Sequence, residues 1–353
     1  TVIPTKTPLF TMKNTDPKCF WLTNFLETLL VQVWYPITVA TNSREQKKLI
    51  YKYLEETGDP TSIDFKLHDF GARGVSSPET GGLGGSAHLT QFKGTDTVAS
   101  LVIANEFYNC ECAGFSISAS EHSTMTSWGD SKEDEIKAFG NMLEISPNGL
   151  VACVSDGFDI FRACRDIWGG VLKDKVLERD GTLIIRPDSG DPVKVNLELL
   201  EILGEKFGFL INEKGYKVLD PHVRLIQGDG INYESLEKIM SALKKAKWSI
   251  DNISFGSGGG LLQKMDRDTQ KCAFKCSLAI IDGEEKYVYK DPITDPGKVS
   301  KKGYLTVHNQ NGYWETKSDG NHNFETDCLR TVFLNGRLLN EINFDEIRSN
   351  SII

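Results

Sequence analysis

Three features are absent from this sequence, and each absence excludes a class of protein. The eight cysteines form no CxxC pair or paired zinc pattern, and eight in 353 residues are too sparse for a disulfide scaffold. No apolar run approaches the roughly 20 residues of a membrane-spanning helix. Basic residues are outnumbered by acidic ones, 40 against 49, so the formal charge is −9. This acidic balance argues against partners such as nucleic acid or an anionic membrane surface.

The overall composition is that of a globular protein. Hydrophobic residues make up 39% and charged residues 25%, so most of the chain can fold around a core. A length of 353 residues fits two domains, or one barrel of roughly 250 residues with additions. The sparse cysteines are expected to be reduced thiols of a cytoplasmic or nuclear protein. The chain begins at Thr1 without a signal-peptide pattern, so we expect a processed chain or a fragment.

A regular alternation of strand and helix patterns begins at Lys66. Near-continuous apolar strands, with helical patterns such as those over 195–207 and 233–247 between them, predict parallel strands buried on both faces. Six such units in about 200 residues favour an α/β fold with a closed (β/α) barrel over an open doubly wound sheet. The six runs are FKLHDFGARG, AGFSISASEHS, LVACVSDGFD, TLIIRPDSGD, VRLIQGDG and ISFGSGGG.

The segments on either side of this alternation follow other patterns. Apolar residues between Phe20 and Trp34 recur at helical spacing, and Pro36 is expected to end that helix before a second, basic one. Beyond the barrel the chain predicts short antiparallel strands joined by turns such as DGEE and NQNG, and a final helix in FDEIRSN. The predicted domains are an N-terminal piece with helices over 1–60, a barrel over 61–262 and a smaller α+β domain over 263–353.

Charged or glycine-rich groups follow all six predicted strands. In a (β/α) barrel the carboxyl ends of the strands meet at one face, and catalysis takes place there. The sequence therefore predicts a functional site at this face. Its candidate residues are Asp69, Arg73, Glu121, His122, Asp156, Asp159, Arg186, Asp188, Asp229, Gly256, Gly258, Gly259 and Gly260.

Two features indicate a ligand that carries phosphate. The glycine run of FGSGGGLLQK would let backbone N–H groups approach an anion at the start of a helix. A group of basic residues follows it in a chain that is acidic overall, although Lys301 and Lys302 fit a solvated charged face. Together the two features predict a substrate with more than one phosphate group. The basic residues are Arg267, Lys275, Lys290 and Lys298.

Candidate catalytic side chains lie in the turns that follow two of the predicted strands. Arg186 and Asp188 of RPDSGDP face the same way, because residues i and i+2 of a strand share a side. Such a carboxylate could bind ribose hydroxyls or magnesium, or stabilise an oxocarbenium-like transition state; a structural ion pair is the alternative. His122 could be a base, a ligand or a nucleophile, whereas His68 is expected to be a packed, hydrogen-bonded group.

Seven longer motifs carry a resemblance to a known family. In their order along the chain they resemble the nicotinamide phosphoribosyltransferase family, and the resemblance covers essentially the whole sequence. RPDSG alone would also suit nicotinate phosphoribosyltransferase. The motifs are HDFGARGVSS, KGTDT, SEHSTMTSWG, VSDGFDI, IIRPDSGDP, IQGDG and FGSGGGLLQK.

The resemblance implies a type II phosphoribosyltransferase barrel and a homodimer with shared active sites. The implied reaction of this pentosyltransferase joins nicotinamide to phosphoribosyl pyrophosphate, with Mg²⁺, and gives nicotinamide mononucleotide and pyrophosphate in NAD salvage. ATP would be a co-substrate that is hydrolysed through a phosphorylated histidine. No residue is assigned as a dedicated metal ligand.

The resemblance also implies roles for single residues. Phe70 would stack on the pyridine ring, Asp96 of KGTDT would accept the carboxamide N–H, and Arg186 would lie beside the ring. A carboxylate acceptor favours an amide over the negatively charged nicotinate. His122 would be the phosphohistidine, with Asp159 oriented against it; the implied catalytic residues are His122, Asp159, Asp188 and Arg186.

Further implied roles concern the ribose and the phosphates. Asp188 and Asp229 would hold the ribose hydroxyls, and Gly258 and Gly259 would meet the 5′-phosphate. Two serines would line the ligand tunnel, and five basic residues would bind phosphate and pyrophosphate. The implied substrate-binding residues are Phe70, Arg73, Asp96, Ser116, Ser155, Arg186, Asp188, Gly228, Asp229, Gly258, Gly259, Arg267, Lys275, Lys290 and Lys298.

The sequence departs from the family's pattern at three places. The family carries a segment before the position of Thr1 that supplies an aromatic residue to the partner's site and strands to the smaller domain. Ala72 stands where the family usually has an aromatic residue, and Ala273 replaces a serine. Two alternatives therefore stay open: nicotinate phosphoribosyltransferase, and a catalytically incomplete fragment that acts only as a binding or interaction protein.

Overall fold

A computed structural model describes residues 1–319 and 326–352, and the chain divides into two compact units. One unit consists of Pro36–Met265 together with Ile352. The other combines Thr1–Tyr35 with Asp266–Ser351. The extended N-terminal piece thus groups with the C-terminal strands, and residues 36–60 belong with the barrel.

The centre of the Pro36–Met265 unit is a parallel sheet with a two-stranded antiparallel hairpin beside it. Its strands in chain order are β1 Leu67–Asp69, β2 Gly94–Thr95, β3 Ser118–Ala119, β4 Asn148–Val154, β5 Asp180–Arg186, the hairpin strands β6 Phe209–Ile211 and β7 Lys217–Leu219, then β8 Val223–Gln227 and β9 Ile253–Ser257. In the described part of the chain the parallel sheet has seven strands in the order β2-β1-β9-β8-β5-β4-β3.

The two edges of this sheet are joined by backbone hydrogen bonds. Gly94 of β2 forms a parallel bridge with Phe115, which lies just before β3. The Thr95 N–H donates to the Phe115 carbonyl at 3.0 Å, and the Phe115 N–H donates to the Lys93 carbonyl at 2.7 Å. The sheet therefore curls back on itself, and the predicted (β/α) barrel is confirmed.

Helices connect the strands and pack on them. Fully buried aromatic side chains fill the layer between helices and strands, and the rings of Phe139 and Trp168 stack with centroids 4.6 Å apart. Among the described residues no helix has the length and apolarity to cross a bilayer. The helices are α1 Leu22–Leu30, α2 Trp34–Thr57, α3 Pro78–Leu89, α4 Val98–Tyr108, α5 His122–Thr126, α6 Lys132–Ile145, α7 Ile160–Arg162 with a π-helical continuation Ala163–Val171, α8 Lys173–Leu177, α9 Pro192–Phe207, α10 Tyr233–Lys245, α11 Gly259–Leu262 and α12 Phe344–Ser349.

The start of α2 explains where the two units divide. Pro36 lies in the first turn of this helix, where its missing N–H is not needed, and α1 has already ended at Leu30. Downstream, α2 is held within the barrel unit. Ser43 Oγ lies 3.0 Å from His88 Nδ1 of α3, and Lys47 Nζ lies 3.1 Å from Asp64 Oδ1. This helix belongs to the barrel unit from Pro36 onward, although the sequence-based boundary falls near residue 60.

The Thr1–Tyr35 and Asp266–Ser351 unit is built from antiparallel hairpins. Its strands are β10 Leu278–Ile281, β11 Glu284–Tyr287, β12 Thr306–Gln310, β13 Tyr313–Lys317, β14 Phe333–Leu334 and β15 Arg337–Leu338. The Asn311–Gly312 turn between β12 and β13 has φ values of 53° and 86°, as a two-residue type I′ turn requires. The predicted NQNG turn is thus the hairpin connection.

Candidate active site

Two groups of hydrogen-bonded side chains lie at the carboxyl ends of the barrel strands. The first, which we call the Asp96 cluster, consists of His68, Asp96 and Ser116. His68 Nε2 lies 2.8 Å from Asp96 Oδ1, and the Ser116 hydroxyl donates to the same oxygen at 2.5 Å. The His68 side chain is 14% exposed and the Asp96 side chain 46%. The Asp96 carboxylate therefore faces solvent and is held in place by hydrogen bonds to His68 and Ser116.

The surroundings of Asp96 keep it ionised. Partial burial raises the pKa of the carboxyl, but hydrogen bonds from His68 and Ser116 and the nearby charge of Arg186 outweigh that effect. The pKa of Asp96 accordingly lies below its ordinary value. Its backbone N–H donates to the Asp69 carbonyl at 2.9 Å, which ties the residue to the end of β1. The geometry provides an oriented anionic acceptor.

The Phe70 ring lies beside this cluster because glycines leave room for it. A Cβ atom on Gly228 would come 3.2 Å from the ring, and one on Gly256 would overlap it. The ring centroid is 5.1 Å from that of His68, and the Phe70 N–H donates to the Ser257 carbonyl at 3.0 Å. An aromatic face and an anionic acceptor therefore sit at neighbouring strand ends.

The second group, the His122 cluster, consists of His122, Asp156, Asp188 and Ser189. His122 is the first residue of α5, directly after the β3 corner. Its Nε2 lies 3.0 Å from Asp156 Oδ1, and its Nδ1 lies 4.0 Å from Asp188 Oδ2. Here the aspartate is the buried partner: the Asp156 side chain is 5% exposed and the His122 side chain 44%.

Asp156 is anchored from the next strand end. Its Oδ2 accepts hydrogen bonds from the Ser189 hydroxyl at 2.6 Å and from the Asp188 N–H at 3.0 Å. Burial raises the pKa of Asp156, but the hydrogen bonds from Ser189, His122 and the Asp188 N–H bring it below the ordinary value. Asp188 behaves differently: burial raises its pKa, and the charges of Asp156 and Asp229 add to that effect against the opposing charge of Arg186.

Arg186, the last residue of β5, acts on both clusters. Its guanidinium charge lowers the pKa of Asp96 in one cluster and opposes the raised pKa of Asp188 in the other. Its Nε is buried and has no hydrogen-bond partner among the described residues. A buried unsatisfied donor is uncommon, and a bound ligand is one way to satisfy it.

Comparison with known proteins bears on this arrangement. The model of the nicotinate phosphoribosyltransferase (NAPRTase) family matches residues 65–337, most of the chain. The chain belongs to this family. Its members transfer a pentosyl group, so the prediction of an enzyme of the pentosyltransferase kind is confirmed. The recognition drawn from the seven motifs is confirmed as well.

Curated relatives carry the name of one branch of this family. The chain is 48% identical over 360 aligned residues to a nicotinamide phosphoribosyltransferase of Xanthomonas campestris pv. campestris, covering 99% of this chain and 76% of that protein. It is 34% identical over 368 residues to the protein of that name from Acinetobacter baylyi, covering 97% and 72%. A solved nicotinate phosphoribosyltransferase from Porphyromonas gingivalis aligns with a TM-score of 0.42 at 14% identity, over 69% of this chain and 56% of that one.

One implied role does not match the position of its side chain. Asp159, expected to be oriented against His122, instead caps the start of α7. Its Oδ1 accepts the Phe161 and Arg162 N–H groups, each at 3.0 Å. An aspartate at a helix N-cap satisfies N–H groups that have no partner within the helix. The carboxylate that contacts His122 is that of Asp156.

Ser155 is also placed differently from its implied role in lining the ligand tunnel. The residue is fully buried, and its hydroxyl donates to the Cys153 carbonyl at 3.0 Å. The same oxygen accepts the Trp168 Nε1–H at 3.0 Å. Both hydrogen bonds of this hydroxyl are therefore made within the core, one to strand β4 and one to the helical segment that carries Trp168. Ser116, the other implied tunnel serine, is exposed and bonds to Asp96.

The remaining predicted residues fall into two sets. In the barrel unit, Arg73 is 83% exposed with Nη2 3.7 Å from Glu121 Oε1, while Asp229 is exposed at the β8 corner. Gly228, Gly258 and Gly259 lie at the ends of β8 and β9. The other unit holds the remaining basic residues, where three pair with local acids: Arg267 with Asp268, Lys275 with Glu27 and Lys298 with Asp295; Lys290 lies there too.

Sequence reasoning did not connect two members of the His122 cluster with His122. Asp156 was predicted only as one of several strand-end site residues, and Ser189 was not predicted as a site residue. Each follows a predicted strand, in the corners VSDG and RPDS. Because neighbouring strands bring their corners together, the pairing of β4 with β5 is the signal that connects them.

Proposed function

We propose that this protein is a nicotinamide phosphoribosyltransferase, which joins nicotinamide to phosphoribosyl pyrophosphate in NAD salvage. The observation that carries the proposal is the ionised, solvent-facing Asp96 carboxylate held by His68 and Ser116. It accepts the carboxamide N–H of nicotinamide and repels the carboxylate of nicotinate. Phe70 stacks on the pyridine ring, and Arg186, whose buried Nε has no hydrogen-bond partner among the described residues, lies beside that ring. The names of the curated relatives support this choice.

In the transfer step the pyridine nitrogen attacks C1 of the ribose. The C1–N bond forms while the C1–O bond to pyrophosphate breaks, and the electron pair leaves with the pyrophosphate. Positive charge develops at C1, so nearby carboxylates stabilise the transition state. Asp188 and Asp229, which follow β5 and β8, hold the ribose hydroxyls and supply that negative charge.

The phosphates are bound by backbone and basic groups. Gly258 and Gly259, after β9, let backbone N–H groups approach the 5′-phosphate. The pyrophosphate is bound by cations, which compensate the charge that grows on the leaving group. The residues assigned to this role are Arg73, Arg267, Lys275, Lys290 and Lys298.

Magnesium fits this arrangement as an ion carried largely by the substrate. Mg²⁺ prefers oxygen ligands and is commonly held by one or two carboxylates together with substrate phosphates. Asp188 and Asp229 are such donors. No group of three or more His, Cys, Asp or Glu side chains within 1–319 and 326–352 is arranged to hold a metal ion alone. When bound, the ion neutralises charge on the pyrophosphate.

ATP enters as a co-substrate through His122. The imidazole nitrogen attacks the γ-phosphorus, the bond to the bridging oxygen breaks, and ADP leaves with the electron pair. Water later takes the phosphoryl group from the histidine, so that each cycle hydrolyses one ATP. The position of His122 beside Asp156 and Asp188 supports this role, because a cationic phosphoimidazole is stabilised by neighbouring carboxylates.

A homodimer with shared active sites completes the proposal. In the barrel unit α4 exposes an apolar face, with Val98, Val102 and Phe107 exposed by 70%, 48% and 68%. Such a face is commonly covered by a protein partner. Light scattering coupled to size-exclusion chromatography measures the molecular mass of the protein in solution. The mass of a dimer is expected, and a monomer at working concentrations would contradict the proposed homodimer.

The decisive test is substrate choice. The purified protein is incubated with phosphoribosyl pyrophosphate, Mg²⁺ and either nicotinamide or nicotinate, and the nucleotide product is separated by chromatography. Nicotinamide mononucleotide is the expected product. Turnover of nicotinate alone would move the assignment to nicotinate phosphoribosyltransferase. Binding of the mononucleotide without turnover of either base would support a non-catalytic binding protein.

A further inference from the structure

We infer that Gln263 is a positioning residue that couples binding of the ribose phosphate to binding of the pyridine base. It links two turns at the carboxyl ends of the neighbouring strands β1 and β9, which we call the β1 turn, residues 70–74, and the β9 turn, residues 258–263. In the proposed function, on which this inference rests, the β9 turn meets the 5′-phosphate and Phe70 of the β1 turn stacks on the base. A ligand bound in one turn therefore orders the other.

The side chain of Gln263 bridges the two turns directly. Its Nε2 donates to the Gly71 carbonyl at 2.9 Å, while its backbone N–H donates to the Gly259 carbonyl at 3.1 Å. The Gly71 carbonyl also accepts the Gly74 N–H at 3.0 Å, and this hydrogen bond closes the β1 turn. A carbonyl oxygen has two lone pairs, so both are used here. The same oxygen atom thus closes the β1 turn and attaches it to the β9 turn.

Close packing accompanies this hydrogen bond. A Cβ atom on Gly71 would come 2.6 Å from the side chain of Leu262, which is 2% exposed. One on Gly74 would come 2.5 Å from Gln263 Oε1. Glycine at both positions lets the backbone of one turn approach the side chains of the other. The two turns are therefore expected to move as one element.

The solvent side of the β1 turn is weakly held. Ala72, Arg73 and Gly74 are exposed, and the ion pair of Arg73 is long, with Nη2 3.7 Å from Glu121 Oε1. Exposed ion pairs contribute little to stability, and segments with few buried contacts open at a low free-energy cost. We therefore expect the link through Gln263 to limit the motion of this turn.

An ordered element that two ligands share makes their binding cooperative. A phosphate bound by the Gly258 and Gly259 N–H groups fixes the β9 turn, and Gln263 passes this order to the β1 turn. The base then meets a Phe70 ring that is already oriented, so less conformational entropy is lost when it binds. By linkage, the base strengthens binding of the sugar phosphate by the same factor. A net hydrogen bond of this kind corresponds to a factor of about 2 to 10.

Two matched variants isolate this link. Gln263→Met keeps the length of the side chain but removes the donor to Gly71, and it leaves the N–H groups of the β9 turn in place. Gln91→Met is the control. Gln91 is also buried, but its Nε2 donates to the neighbouring Thr90 hydroxyl at 3.3 Å, and it precedes β2, at the opposite end of the barrel.

Ribose 5-phosphate is the probe, because it carries the 5′-phosphate but no pyrophosphate at C1 and so cannot react. Calorimetry measures the nicotinamide Kd with and without the probe, and hydrogen exchange measures protection of the amides of residues 70–74. In wild type and Gln91→Met the probe is expected to tighten nicotinamide binding about 2- to 10-fold and to slow this exchange. In Gln263→Met the probe should still bind, but both effects should be lost.

Coupling and protection that persist in Gln263→Met, or that are absent from wild type, would overturn the inference. If Gln263→Met does not fold, Gln263→Glu replaces it, since its ionised carboxylate cannot donate and the same loss is expected. Failure of the proposed function gives a different result. A protein that converts nicotinate and not nicotinamide would still show protection of residues 70–74 by the probe, and its loss in Gln263→Met, because hydrogen exchange is read without the base.

Discussion

Two histidine–aspartate pairs lie at the same end of the barrel, and they are built in opposite ways. Their hydrogen bonds are nearly equal in length, with 2.8 Å between His68 Nε2 and Asp96 Oδ1 and 3.0 Å between His122 Nε2 and Asp156 Oδ1. In the first pair the histidine side chain is mostly buried, at 14% exposed, and the aspartate faces solvent. In the second pair the aspartate is buried and the histidine faces solvent. Geometry alone therefore does not distinguish the pairs, but exposure does.

The exposed member is the group that can meet a ligand, and the buried member orients it. A carboxylate held by donors suits recognition of an amide, while an imidazole whose proton is fixed suits nucleophilic chemistry. The same residue types thus serve binding in one corner and catalysis in the next. The following predictions test this contrast, beginning with the largest effect.

The largest effect is expected at the exposed histidine. His122→Ala removes the nucleophile, so stimulation of transfer by ATP should be lost entirely and no phosphoprotein should form, while some transfer without ATP remains. Radiolabelled ATP and product chromatography measure both quantities. His68→Ala is the control, because its histidine is the buried member of the other pair and ATP stimulation should persist. Full ATP coupling in His122→Ala would remove the proposed role.

The exposed aspartate comes next. Asp96→Ser is expected to lower kcat/KM for nicotinamide roughly 10- to 100-fold, because a hydrogen bond to a charged group contributes about 1.5–3 kcal/mol. Preference for nicotinamide over nicotinate should fall as well. Asp96→Asn keeps an acceptor oxygen without the charge and should retain more nicotinamide binding than serine does. Steady-state kinetics with nicotinamide and with nicotinate measure this preference. An unchanged ratio of the two kcat/KM values would exclude recognition by Asp96.

A smaller effect is expected at the buried histidine. His68→Ala should raise KM for nicotinamide about 3- to 10-fold with little change in kcat, since it removes one supporting hydrogen bond. His68→Gln places a donor at the position of Nε2 and should restore much of the loss. A double-mutant cycle with Asp96→Ser should be non-additive, since the residues are in contact. Additive effects would mean that His68 does not act through Asp96.

The smallest effect on activity concerns a buried carboxyl without a histidine partner. Burial raises the pKa of Asp69 to about 6, although its Oδ1 accepts the Gly71 N–H at 2.7 Å. The native state therefore holds a proton between roughly pH 4 and 6 that the unfolded chain has released, so stability falls as pH rises through this window. Asp69→Asn should remove this loss of stability at higher pH. It should therefore raise the free energy of unfolding by about 1–3 kcal/mol at pH 7.5.

Urea unfolding of wild type and Asp69→Asn at pH 4.5 and 7.5 measures this difference. The gain from asparagine should be much larger at pH 7.5, with turnover changed less than about twofold. Asp156→Asn should show the opposite trend, because the pKa of Asp156 lies below its ordinary value and its stabilising contribution is present above it. An equal difference at both pH values would contradict the raised pKa of Asp69.

The barrel was predictable because its strands carry strong signals. Apolar runs such as TLIIR and LVACV end in polar corners. Helix α9 starts at Pro192, directly after its N-cap Asp191, and both residue types are common at a helix N-terminus. Strand β2 was not predictable. It has two residues, Gly94 and Thr95, without apolar periodicity, and it exists through pairing with β1 and the bridge to Phe115.

The boundary between the two units and the roles of the residues after the strands were likewise not predictable from the sequence alone. Patterns along the chain predict helices near Trp34 and Tyr53, but packing of α2 against His88 and Asp64 assigns that helix to the barrel unit. In the corner SDGFD, Asp156 and Asp159 have the same chemistry three residues apart. Which of them reaches His122 depends on where the β5 corner places Ser189.

The amino-acid order thus accounts for which chemical groups reach this face of the barrel: two histidines, their aspartates, an arginine and the glycines that admit Phe70. Local periodicity and strand ends suffice for that, because they depend on neighbours along the chain. Folding settles which member of each His–Asp pair is buried, because burial depends on side chains from distant strands. His68 lies under Asp96 in one corner, and Asp156 lies under His122 in the next.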